Sequence, residues 1–315
     1  MPAISVVIPL YNKSEYVLKA IHSVLAQSFL PTEIIVINDG STDNSLEVIE
    51  QINDDRIIIL NQRNEGVSVA RNVATRRAVS EYVAFLDADD WWDKHFLESM
   101  MQLIVRFPNA DLYGSNYYIV KNQVATPAKV GVADDFEEGY INYFEVYSNT
   151  FWVPINCSFA IVRKEVFLSI GGFKPNLKFG EDLDLWIRMA LKSQVAYVNK
   201  RLAYSNQDVD LLNRALAPDK QWKMEEHVIF NLSYILQEEN QNRHLKKLVD
   251  GLIVRLLLPF YLSGNYKPEV HKLINRVDFK NQPFGNRLIY FLPKSIIQCY
   301  FSIRSMGSKI KRSIS

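Results

Sequence analysis

The sequence predicts an α/β fold: a doubly wound, mostly parallel sheet followed by a helical C-terminal extension. Three observations predict it. Short β-branched runs alternate with amphipathic stretches through the N-terminal third. Polar residues follow the ends of those runs, where open α/β sheets bind ligands. Beyond Pro218 strand signals fade and helical patterns dominate.

Residues 4–10 (ISVVIPL) read as a buried strand, and 14–27 as a helix with Val17, Leu18, Ile21, Val24 and Leu25 at helical spacing. Residues 33–38 (EIIVIN) form a second strand, the polar run 39–43 a loop, and 45–52 a second helix. Residues 56–60 (RIIIL) are a third strand, 68–79 a third helix, and 82–86 a fourth strand. Residues 111–120 and 156–162 read as strands, Gly171-Gly172 as a turn and 181–191 as a helix. In 244–257, Leu245, Leu248, Val249, Leu252, Ile253, Leu256 and Leu257 make one apolar face. A boundary near residue 216 is expected, with 1–216 as the sheet domain and 217–315 as a helical region.

At 315 residues and 48% apolar, the chain has ample material for a core. A formal charge of +1 gives no reason to expect nucleic-acid binding. After Asp278 there is no acidic residue, yet Lys280, Arg287, Lys294, Arg304, Lys309, Lys311 and Arg312 follow. On a helical wheel, residues 294–312 put Ile296, Ile297, Tyr300, Phe301, Ile303 and Ile310 on one broad side, a pattern that fits an anionic membrane surface or a packed terminal helix. Cys157 and Cys299 lack metal or disulfide spacing, and a reducing, cytoplasmic setting fits. No signal peptide and no uncharged apolar run of about 18 residues is read. The five histidines form no ligand spacing.

The chemistry-bearing residues lie at the strand ends. Asp87-Ala88-Asp89 follows the apolar strand YVAFL, and two carboxylates at i and i+2 suit a hard divalent cation that bridges phosphates. Asp39, at the end of the second strand, can accept from a ribose or base, while Asp43 or Asn44 serves as a helix cap. Asn64 precedes the helix that carries Arg71, whose guanidinium suits a diphosphate or a site carboxylate. Trp91 and Trp92 suit sugar stacking or, more commonly, the core.

These strings together resemble family 2 glycosyltransferases of the GT-A fold: SVVIPLYN (5–12), INDGSTDNS (37–45), NEGVSVARN (64–72), FLDADDWW (85–92), GGF (171–173) and GEDLDLW (180–186), in family order over roughly residues 3–215. The resemblance implies an inverting transfer of sugar from a nucleotide-diphosphate donor, by default a UDP-sugar, to a glycan or lipid-linked hydroxyl. The setting it implies is cell-surface polysaccharide synthesis, at the cytoplasmic face of the membrane. It implies that Pro9 and Tyr11 flank the base and that Asp39 binds the nucleotide, with Arg71 close to it. It further implies that Asp87 and Asp89 hold Mn2+ or Mg2+ and that Asp182 is the general base. An inverting displacement needs such a base for the acceptor hydroxyl and a separate positive charge for the departing diphosphate. One departure stands out. Many relatives carry a histidine shortly after a tyrosine, where this chain reads Tyr204-Ser205-Asn206-Gln207-Asp208, so Asp208 replaces it or the site uses fewer protein ligands; Arg214 beyond is a further candidate for diphosphate charge. A nucleotidyltransferase would need a glycine-rich triphosphate loop, and the loop YNKSEY has no glycine. A non-catalytic binder would be expected to lose the base or the acid pair.

Overall fold

The computed structural model describes residues 2–209, 222–235, 238–239 and 241–297. The chain divides into two compact units, Met1–Asn231 and Leu232–Ser315. The boundary expected near residue 216, and Arg214 with it, lie outside the described residues.

The first unit opens with β1 (Ile4–Leu10), α1 (Val17–Leu25), β2 (Glu33–Asp39), α2 (Ser45–Glu50), β3 (Ile57–Gln62), α3 (Val67–Arg77) and β4 (Tyr82–Phe85). Next come β5 (Trp91–Trp92), α4 (Phe96–Arg106), β6 (Ala110–Lys121), β7 (Val124–Pro127), β8 (Glu138–Ile141) and α5 (Tyr143–Thr150). It ends with β9 (Ala160–Arg163), α6 (Lys164–Ser169), α7 (Glu181–Lys192) and β10 (Gln194–Asn206). One ten-stranded sheet runs in the order β3-β2-β1-β4-β9-β6-β10-β5, with β7 on β6 and β8 on β10. The pairs among β3, β2, β1 and β4 are parallel, as is β6 with β10, while β9 runs antiparallel between β4 and β6. The mostly parallel sheet therefore stands as six strands running one way, with β9 reversed between β4 and β6 and the short strands β5, β7 and β8 reversed on β10 and β6.

β1 is apolar without alternation because both of its faces are covered, as parallel central strands require. α1 buries Val17, Ala20, Ile21 and Val24 completely, and each Val or Ile so buried contributes about 1.5–3 kcal/mol. Residues 156–162 differ from a plain strand. Asn156 Oδ1 accepts from the Ser158 N–H at 2.8 Å, residues 157–159 make a 3-10 turn, and extended chain begins only at Ala160.

The second unit is helical: α8 (Arg243–Leu256), α9 (Leu258–Ser263), α10 (Lys267–Asn275) and α11 (Phe284–Ile289). Asn242 Oδ1 caps α8 by accepting from the His244 and Leu245 N–H groups, both at 3.1 Å. Leu245, Leu248, Val249, Leu252 and Ile253 are buried along the expected face. No helix among the described residues is long and apolar enough to cross a membrane.

Candidate active site

The site forms at the carboxyl ends of β1, β2 and β4. Asp90 N–H donates to Asp87 O at 3.0 Å, a tight turn that sends Ala88 into the core (3% exposed) and leaves Asp87 and Asp89 half-buried on the other side. The strand–turn junction is therefore what separates the two acids from the alanine between them. Asp90 turns back into the fold, where its Oδ1 accepts from the Asn206 N–H at 2.7 Å. Burial, then Asp89 and Asp87, raises its pKa well above the usual carboxylate range.

Arg71 joins three segments distant in sequence. From α3, its Nη2 donates to Asp87 Oδ1 at 2.6 Å and its Nη1 to Glu181 Oε1 at 3.1 Å, with only 4% of its side chain exposed. Burial works against its charge, but Asp87, Cys157 and Glu181 outweigh that, so the guanidinium is held more firmly protonated than usual. A guanidinium locked between two carboxylates is a fixed strut, and it brings the donor-side acids and the start of the Asp182 helix to one place.

Asp182 stands in the first turn of α7 after Gly180, whose φ of +73° opens the helix. A Cβ at Gly180 would stand 2.5 Å from Val228 Cγ1, so glycine is required there. Asp182 Oδ1 accepts from the Leu183 N–H at 2.7 Å. Burial first, then Glu181 and Asp87, pushes its pKa up to about 7, against the opposing pull of Leu183 N–H and Arg71. That value suits a group that takes and releases protons near neutrality. Asp184, two residues on, is fully buried and paired with Lys174 and Arg188, both at 2.7 Å, so it is structural.

Asp39 is 3% exposed. Its Oδ1 accepts from Gln62 Nε2 at 2.7 Å and Glu65 N–H at 2.9 Å, its Oδ2 from Gly66 N–H at 2.8 Å. Two of these bonds tie down the loop before α3 and the third holds the end of β3, which leaves about one of a carboxylate's roughly four lone-pair sites for a ligand. Asn64 is exposed on that loop, and a Cβ at Gly40 would meet its backbone N at 2.9 Å. Tyr11 is exposed (44%) beyond β1, while Pro9 is buried in β1 past Val7, where pairing with β4 ends. Asn12 laces the loops after β1 and β2 together: its Oδ1 accepts from Thr42 N–H at 2.8 Å.

Lys13, Glu181 and Asn72 escaped the sequence reading. Lys13 Nζ lies 2.7 Å from Asp89 Oδ2; its only signal was a basic residue in the loop after the first strand. Asn72 grips the glycine turn, its Nδ2 donating to Phe173 O at 2.7 Å and its Oδ1 accepting from Phe173 N–H at 2.9 Å. Asp208 is engaged at the turn between β6 and β7. Its carboxylate accepts from Asn122 N–H at 2.6 Å and Gln123 N–H at 2.7 Å, holding the left-handed turn between β6 and β7. Trp92 is core, stacked on Phe96 at 4.2 Å. Trp91 stacks on Tyr204 at 5.4 Å and has Lys19 Nζ 2.9 Å from its ring centre.

Asp87 and Asp89 are the residues that would hold a divalent cation. Each has one oxygen, Asp87 Oδ2 and Asp89 Oδ1, without a hydrogen bond among the described residues. No set of three His, Cys, Asp or Glu side chains converges there as a metal cage among the described residues. Two hard oxygens fit a cation that takes the rest of its shell from phosphate and water.

Comparison with known proteins shows the family and the fold. The family model described as glycosyl transferase family 2 matches residues 5–170. The putative teichuronic acid biosynthesis glycosyltransferase TuaG of Bacillus subtilis is 32% identical over 228 residues, 70% of this chain and 84% of TuaG. Glycosyltransferase GlyA of Streptococcus pneumoniae is 31% identical over 207 residues, 63% of this chain but only 30% of GlyA. The crystal structure of S. aureus TarS residues 1–349 with UDP-GlcNAc superposes with a TM-score of 0.69 at 18% identity, covering 91% of this chain and 83% of that one, and shares its fold. The match across more than half of the residues, together with the TuaG alignment, places this chain in glycosyl transferase family 2.

Proposed function

We propose that the chain is an inverting, metal-dependent glycosyltransferase. It moves a sugar from a nucleotide-diphosphate donor, a UDP-sugar, to a hydroxyl of a glycan or lipid-linked acceptor in cell-surface polysaccharide synthesis. The observation that carries this reading is the Arg71 strut, which draws Asp87 and the start of the Asp182 helix to one cleft. The UDP-GlcNAc and UDP complexes of TarS support a uridine donor, and the naming of TuaG supports a cell-wall polymer as product.

Asp39, with the loop it ties, binds the nucleoside beside Pro9, Tyr11 and Asn64. Asp87 and Asp89 hold Mn2+ or Mg2+, which supplies positive charge for the departing diphosphate. Asp182, pushed up to about 7, takes the proton from the acceptor hydroxyl as its oxygen attacks the anomeric carbon. Arg71 keeps Asp87 oriented and spans to Glu181, so the acids on the two sides stay in fixed relation. The chain works at the cytoplasmic membrane face, held there by its basic C-terminal segment.

The test is a screen of nucleotide sugars, reading released nucleotide with and without Mn2+. Turnover of a UDP-sugar that stops on chelation and in Asp89→Ala, with the fold intact, is the expected result. Full turnover in Asp89→Ala would remove the metal assignment.

A further inference from the structure

The loop that leads into α7, residues 174–180, is held by residues 223–231. Glu226 O accepts from the Lys178 and Phe179 N–H groups at 2.8 and 3.1 Å, and the Val228 N–H donates to Phe179 O at 3.0 Å. Asn176 Nδ2 adds a bond to Glu225 O at 2.8 Å. Val228 is fully buried and packs against Gly180, leaving no room there for a Cβ. The backbone just before Glu181 and Asp182 therefore has its course set by a segment distant in sequence.

His227 stands at the centre of this clamp. It is 3% exposed, and its ring lies flat on that of Phe179, with centroids 4.4 Å and planes 8° apart. The Phe230 ring meets it nearly edge-on at 6.0 Å. His227 Nδ1 accepts from the Ile229 N–H at 3.2 Å, and Asn231 Nδ2 donates to His227 O at 3.0 Å and to Met224 O at 2.9 Å. Ring and backbone are thus both fixed. Burial pushes the imidazole pKa down to about 4, so near neutral pH the ring is uncharged and Nδ1 can accept.

A base must meet its proton at about 2.6–3.2 Å, and misplacement by about 1 Å costs up to about 10² in rate. The bond from the Leu183 N–H to Asp182 lies inside α7 and does not fix the helix in space. Two anchors do. Arg71 holds Glu181, and residues 223–231 hold Phe179 and Gly180. Resting on the assignment of Asp182 as general base, we propose that His227 is a positioning residue for transfer: its ring, stacked on Phe179, locks the backbone that enters α7 and so holds Asp182 where the acceptor hydroxyl must come.

The experiment uses the full chain as wild type, His227→Ala, His227→Phe, His227→Asn and Asp182→Asn. It measures kcat and KM for UDP release from the UDP-sugar that the screen above identifies, UDP affinity by calorimetry, and thermal unfolding. His227→Ala should lower kcat by about tenfold or more, with KM and UDP affinity within about twofold of the wild type. His227→Phe keeps a flat ring on Phe179 and should stay within about threefold of the wild-type kcat. His227→Asn keeps an acceptor for the Ile229 N–H but no ring, and should fall as His227→Ala does. If His227→Ala does not fold, the contrast between Phe and Asn carries the test. Wild-type kcat in His227→Ala or His227→Asn, whatever their melting temperatures, overturns the positioning role. Equal losses of kcat in Phe and Asn overturn the stack as its means, and a loss confined to UDP affinity moves the clamp to the donor side and overturns it as well. Lost transfer in Asp182→Asn beside unchanged transfer in His227→Ala overturns His227 alone. Retained transfer in Asp182→Asn overturns the base assignment and this role together.

Discussion

A carboxyl group whose pKa lies near 7 is a base only above that pH, which makes Asp182 testable by titration. As pH rises through about 7, Asp182 loses its proton and transfer should rise to a plateau. Asp182→Asn should lose this limb and about 10² of rate, with UDP affinity unchanged. Stability gives an independent check. The folded pKa lies above the unfolded value of about 3.9, so the folded state holds the proton longer. Asp182 therefore costs the fold nothing below pH 4 and progressively destabilises it as pH rises towards 7. Asp182→Asn should melt higher than the wild type at pH 8, by about 2–4 °C per kcal/mol relieved, and alike at pH 4. Retained transfer in Asp182→Asn would remove it from the mechanism. At this scale the placement of Asp39, Asp87 and Asp89 at strand ends was legible in sequence from the apolar runs that precede them, whereas Asp182, in the first turn of α7, was singled out only by the resemblance. Lys13 and the Asn72 grip were not, since each acts through a partner 76 or 101 residues away that no local pattern announces.

At the scale of elements, the glycine turn shows how two motif strings support one another. Gly172 has φ +62°, and a Cβ there would stand 2.5 Å from Asn72 Oδ1. Arg188 also grips the turn, donating to Ile170 O at 2.9 Å and Gly172 O at 2.7 Å while paired with Asp184. Asn72→Ala leaves the Phe173 N–H and C=O buried without their side-chain partner. Its expected cost is about 1–3 kcal/mol, seen in denaturant unfolding as a lower midpoint at unchanged slope. Gly172→Ala should cost at least as much, since strain and collision add. Neutral behaviour of both would mean that the turn is held elsewhere. The elements read correctly include β1, β2, β3, β4 and β6 and the helices α1, α3, α7 and α8, whose apolar residues recur at strand or helix spacing. β10, the 13-residue strand that pairs with β6, was missed because Asn199, Lys200 and Arg201 interrupt its pattern where the register shifts. α4, amphipathic and well packed, went unread beside the acidic loop that precedes it.

At the scale of the whole molecule, apolar exposure is unevenly spread. Leu288 (39%), Phe291 (72%), Leu292 (37%) and Ile296 (52%) are all exposed within one short stretch of the second unit. Lys294 lies among them, and every ionisable side chain of Asp, Glu, Lys or Arg type after Asp278 is basic. The helical wheel set Ile296 and Ile297 on one side, but Ile297 is buried at 3% exposure while Ile296 is not. The rest of that wheel, residues 298–315, lies outside the described residues. On the membrane contact proposed above, exposed Phe291 and Ile296 would enter the headgroup boundary of an anionic bilayer, and each nearby Lys or Arg would add about 1 kcal/mol. Phe291→Glu with Ile296→Glu in the full chain should therefore reduce sedimentation with phosphatidylglycerol vesicles by about tenfold or more. Hydrolysis of soluble donor should be unaffected, since neither residue belongs to the Asp39–Asp87–Asp182 cleft. Raising salt to about 0.5 M should weaken wild-type binding, because a shorter screening length removes the electrostatic share. Neutral phosphatidylcholine vesicles separate the two contributions: binding there, unchanged by salt, would assign the attachment to apolar insertion alone. Vesicle binding by the double variant equal to the wild type's would show that this face is not the anchor.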